Sequence, residues 1–89
     1  MATVSLEDLQ RDHLAMSVAQ ALALANEAAA AQGTVPADSL VTISEEASPT
    51  GRVWRVHYGR RDYVGRRGGD LIVLVDDRGQ SVQQVLRGQ

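Results

Sequence analysis

Apolar and polar positions change period once along the chain, near residues 33–36. Before that point apolar residues recur at helical spacing; after it they alternate as strands do. Ser5 stands just ahead of the helical stretch and Asp8 three residues on, a capping box with Asp in the Glu position. Glu7 and Asp8 also suit the positive end of a helix dipole. The body, LEDLQRDHLAMSVAQALALANEAAAAQ, is rich in Ala and Leu and lacks Gly and Pro. Gly33 is a natural stop, with Pro36 after it. The pattern predicts one helix over about residues 6–32, roughly 40 Å long.

That helix carries two apolar stripes. Leu14, Val18, Ala21, Leu22, Ala25 and Ala29 are expected to face a sheet. Leu6, Leu9, His13, Met16 and Leu24 lie on a neighbouring face. The second stripe reads either as a broad core contact or as a surface that meets another subunit or a partner. Leu6, Leu9, His13 and Met16 are the candidate dimer face.

Strands are predicted over about residues 40–45, 52–58, 70–76 and 81–87. In the second, Trp54, Val56 and Tyr58 share the inner face, and Val53, Arg55 and His57 the outer. Residues 71–75 are apolar on both faces, as a central strand requires. Residues 81–87 are mixed and read as an edge. Ser48-Pro49-Thr50-Gly51 and Asp76-Asp77-Arg78-Gly79 are hairpin turns. Asp77 is expected to bond backbone amides of its own turn. The fold class is therefore α+β, a single domain over residues 1–89: one long N-terminal helix packed on a four-stranded antiparallel meander sheet.

Composition narrows the picture. The 89 residues are close to the lower limit for a self-sufficient core. There is no Cys, hence no disulfide and no thiolate metal site. There is no Phe either, so Val, Leu, Ile and Ala must form most of the interior. Domains this small have little stability in reserve, and homodimerisation is one remedy. The first apolar stretch follows charged residues, the wrong flank for a secretory leader. No apolar run is expected to span a membrane. A cytoplasmic protein is the expected reading, and a mature periplasmic chain also fits.

Charge is uneven. The net charge is −2, but residues 1–51 carry seven acids and one Arg, and residues 52–89 carry eight Arg and four acids. All nine basic residues are Arg. This fits GC-rich bacterial coding, and it also fits a requirement for guanidinium forks that grip carboxylates or phosphates. Residues 52–67 hold six of the arginines and all three aromatics. Arg52, Arg55, His57, Arg60, Arg61, Tyr63, Arg66 and Arg67 are accordingly the candidate partner-binding residues. The segment reads as a solvated hairpin rim, as a docking surface for an acidic protein, or, with less support, as an RNA or single-stranded DNA site. The low pI of the whole chain counts against nucleic acid.

Catalytic chemistry has no foothold. Gly65-Arg66-Arg67-Gly68-Gly69 lacks the Gly-Lys-Ser/Thr ending of a phosphate loop and leads into a strand. His13 and His57 are the only histidines and are not at ligand spacing, so no metal is expected. No cofactor is implied. The reading is a non-catalytic protein-binding module, with a small-ligand pocket between helix and sheet as a further alternative.

The C-terminal half carries a resemblance. Trp54-Arg55-Val56, Gly68-Gly69, residues 71–76, Gly79, Val82, Val85-Leu86 and the ending Leu86-Arg87-Gly88-Gln89 resemble small bacterial proteins of the cystatin-like and nuclear-transport-factor-2-like superfold. They look in particular like immunity proteins of that fold that accompany secreted toxins. Peptidase-propeptide inhibitory domains of related shape end somewhat similarly. The resemblance spans about residues 52–89. It implies a cystatin-like α+β fold and an immunity or inhibitor role. That superfold hosts enzymes, binders and oligomerisation modules alike.

Overall fold

The computed structural model describes residues 3–49, 51–60, 70–78 and 81–87. Helix α1 spans Leu6–Arg11 and α2 spans His13–Ala31. The single helix expected over residues 6–32 is thus broken at Asp12, whose backbone is extended (φ −87°, ψ 101°). The cause is local chemistry. Asp is a strong N-cap, and Asp12 Oδ1 accepts the Ala15 amide at 3.0 Å, opening a second helix in the middle of the apolar pattern. The expected capping box opens α1. Asp8 N donates to Ser5 Oγ, and Ser5 N donates to Asp8 Oδ2, both at 3.2 Å.

Gly33 ends α2 with φ +83°. Its amide donates to Ala30 O at 3.0 Å and the Thr34 amide donates to Ala29 O at 2.9 Å, the paired bonds of a Schellman stop. A Cβ on Gly33 would meet nothing within 4 Å, so only the left-handed backbone resists substitution. Gly33→Ala is expected to cost about 1 kcal/mol, read as a lower urea midpoint at unchanged m-value.

A 3₁₀ turn, Pro36–Asp38, leads into the sheet. Strands β1 (Ser39–Ser48), β2 (Gly51–Arg60), β3 (Leu71–Asp76) and β4 (Ser81–Arg87) form an antiparallel meander in chain order. The first two strands run longer than the expected 40–45 and 52–58. Ser48 pairs directly with Gly51 (φ +134°), so the ladder continues to a two-residue connection. At the other end Asp70 lies just outside β3.

Register puts Val56 opposite Val73, Trp54 opposite Val75 and Tyr58 opposite Leu71, all six buried on one face. Ala21, Ala25 and Ala29 of α2 pack onto them. With so little side chain between, helix and sheet approach closely. Val18, Leu22, Leu24, Ile43 and Val85 close the margins. The helix packs chiefly on β3 and β4 and less on β2, leaving β1 beyond its main footprint.

Leu14, expected on the sheet, is 53% exposed. A 19-residue helix spans about 28 Å, and the six residues of β3 span about 20 Å. The helix is thus longer than β3, and its first turn, with His13 and Leu14, is left exposed. The helix is long and apolar enough, by length and composition, to cross a membrane; here its Ala stripe lies on strands.

Candidate functional site

Strand β2 carries the described members of the arginine-rich segment, and its pleat divides them. Arg52 and Arg60 share parity with Trp54, Val56 and Tyr58 on the helix side. Arg55 and His57 project from the opposite face. The two sets do not form one surface. Arg61, Tyr63, Arg66 and Arg67 lie outside the described residues.

Each of the first three has an internal acidic neighbour. Arg52 Nε donates to Glu45 Oε2 at 2.8 Å, and its Cζ lies 5.3 Å from the centre of the Trp54 ring. Arg55 Nε is 3.6 Å from Glu46 Oε1. Both pairs are diagonal across the β1–β2 ladder, where Glu45 faces Trp54 and Glu46 faces Val53. His57 Nε2 lies 3.1 Å from Asp70 Oδ2, at the start of β3. Such half-exposed pairs add about 0–1 kcal/mol each, and they reduce the charge each group presents to a partner. Arg60 is exposed at the end of β2.

The residues of the candidate dimer face are in the open. Leu6 is 70% and Leu9 44% exposed, His13 is exposed and Met16 half-buried. No residue of α1 is buried, and its main contacts are with α2. Val4 and Leu14, both exposed, extend the same apolar end.

The core's polar groups are all occupied. Trp54 Nε1 donates to Asp77 Oδ1 at 3.0 Å. In the same turn Asp76 Oδ1 accepts the Arg78 amide at 3.0 Å. The amides of residues 79 and 80, which the Asp77 carboxylate is expected to bond, lie outside the described residues. Tyr58 OH donates to Asn26 Oδ1 at 2.7 Å, a pairing with no signal in local sequence because 32 positions separate the two. Among the described residues no buried side-chain nitrogen or oxygen is left without a partner, and no cluster of His, Asp and Glu could hold a metal.

Burial pushes the Tyr58 phenol up to about 12 from its usual 10.0. The folded value is the higher one, so the stabilisation is fully present below pH 10. It is lost as the pH rises toward 12, because the unfolded chain ionises first. Urea midpoints are expected to decline across that interval in the native chain and to decline less in Tyr58→Phe.

A cleft of about 310 Å³ opens where α2 ends, lined by Thr34, Asp38, Ser39, Tyr58, Arg60 and Arg87 among others. Several of its polar groups serve the fold. Arg87 Nη2 caps the helix by donating to Gln32 O at 2.6 Å, and Ser39 Oγ donates to Val35 O at 2.8 Å. The core side chains lie directly beneath α2. No protein-family model, curated protein or solved structure matches this chain.

Proposed function

We propose that the chain is a non-catalytic protein-binding module whose docking surface is its apolar N-terminal end: Val4, Leu6, Leu9 and Leu14. One observation carries this reading. Helix α1 is fully capped, yet buries nothing. A six-residue helix has no stability of its own in water. The apolar end is rimmed by Glu7, Asp8 and Asp12 with one cation, Arg11, 3.6 Å from Glu7, so it stays net acidic and suits a partner with an apolar centre and basic margins. An immunity or inhibitor protein is one specific form of such a module.

The test is a photo-crosslinking residue at Leu9, with Ala30 on the exposed side of α2 as control, in cells of the native organism. A discrete adduct at Leu9, absent at Ala30 and abolished by Leu6→Asp, is the expected result. Equal labelling at both positions would remove the reading. Leu6→Asp should leave the unfolding free energy within about 0.5 kcal/mol of the parent, because the site is exposed and outside the core.

A second reading keeps the partner acidic. The Arg52 and Arg55 side chains remain 36% and 38% exposed in their ion pairs, so they still contribute to the field around β2. Association that rests on this field slows steeply as salt rises. Apolar docking on α1 does not.

A further inference from the structure

We infer that two copies of the chain associate edge to edge through β1, joining their sheets into one eight-stranded antiparallel sheet. The surface is distinct from the α1 docking end.

The two edges of the sheet are treated differently. Strand β4 is disrupted by a register shift opposite Leu74 and Val75, a feature that discourages further pairing. Strand β1 runs in continuous register for ten residues. Residues 39–44, Ser-Leu-Val-Thr-Ile-Ser, contain no charge, Pro or Gly and are rich in β-branched side chains. Glu45 and Glu46 could have guarded this edge, but they are turned back onto Arg52 and Arg55. Leu40 is 51% exposed on one face and Val41 39% on the other, where the main footprint of α2 does not reach.

The backbone groups that point outward can be identified. The Asp77 amide donates to Arg52 O, so Arg52 turns its carbonyl toward the β3 side of β2. Alternation then turns Val53 and Arg55 toward β1. Their partners Glu46 and Ser44 face β2 in return. Val41, Ile43 and Glu45 therefore turn N–H and C=O groups outward, unpaired among the described residues.

A second copy is the occupant that fits. With Ile43 on the two-fold axis, Val41 faces Glu45 of the second copy, Leu40 faces Glu46, and Thr42 faces Ser44. No like charges oppose, and both carboxylates are already neutralised by Arg.

Sedimentation equilibrium on the full chain tests this, with Val41→Pro, Val41→Lys and the double variant Leu6→Asp/Leu9→Asp. The native chain is expected to be dimeric at micromolar concentration. Val41→Pro removes a donor that β2 does not use, and should weaken the dimer at least about tenfold with unchanged circular dichroism. Val41→Lys should do the same by charge, and supplies the reading if the proline variant does not fold. The Leu6→Asp/Leu9→Asp variant should remain dimeric, even where it has lost the photo-crosslinked partner. A native chain that is monomeric into the sub-millimolar range overturns the inference. So does a dimer that survives Val41→Lys, or one that only Leu6→Asp/Leu9→Asp dissociates.

Discussion

Trp54→Ala is expected to destabilise the protein by about 3–5 kcal/mol, the range for removing a buried large aromatic. A domain of this length has a total stability of about 4–13 kcal/mol at the usual value per residue, so the variant sits at the edge of unfolding. Three losses combine. The indole is buried between α2 and the sheet, opposite Val75. Its Nε1 holds Asp77 at the β3–β4 turn. Its ring also underlies the Arg52 guanidinium, which is itself tied to Glu45. Trp54→Phe separates these contributions. It keeps most of the apolar area but leaves Asp77 without the indole N–H, and is expected to cost about 1–2 kcal/mol. Trp54 is the only tryptophan, so unfolding is followed by far-ultraviolet circular dichroism. A loss below about 1 kcal/mol for Trp54→Ala would mean that the indole is not a keystone of the core.

Much of this interior was legible in the sequence, for a physical reason. Trp54, Val56 and Tyr58 alternate cleanly, and alternation is the direct image of a half-buried strand. Residues 71–75 lack it in sequence although burial along β3 still alternates: Leu71, Val73 and Val75 are buried on the helix side, and Ile72 and Leu74 are half-buried on the other face. Gly33 and the turn before Gly51 marked their chain reversals by positive φ, which few other residues accept. Asp12 was harder to read, since an apolar period that continues across a cap conceals the break.

The candidate site was less legible because its determinants are non-local. The Arg52–Glu45 and Arg55–Glu46 pairs depend on strand register, which follows only once Ser48 is known to face Gly51. With that turn fixed, the diagonal pairing could have been derived from the sequence. Asn26 beneath Tyr58 and Asp77 beneath Trp54 could not, because nothing in either neighbourhood singles out those two residues. The exposure of Leu14 depends on the relative lengths of α2 and β3, a property of the assembled layers.

Ala25→Leu is expected to cost about 3 kcal/mol, at the upper end for overpacking a core. Helix propensity cannot account for such a loss, since Leu is nearly as good a helix former as Ala. The cost arises because Ala25, between Ala21 and Ala29, is fully buried against the sheet. A larger side chain there must separate the layers or strain its rotamer. Separation would also stretch the Tyr58–Asn26 hydrogen bond, which spans the same gap at 2.7 Å. Ala30→Leu on the exposed side makes the same chemical change without the steric one, and should stay within about 0.5 kcal/mol of the parent. Guanidinium denaturation of the pair isolates the packing contribution. If Ala25→Leu is no worse than Ala30→Leu, the layers have room to spare, and the three-alanine stripe is not what fixes the distance between helix and sheet.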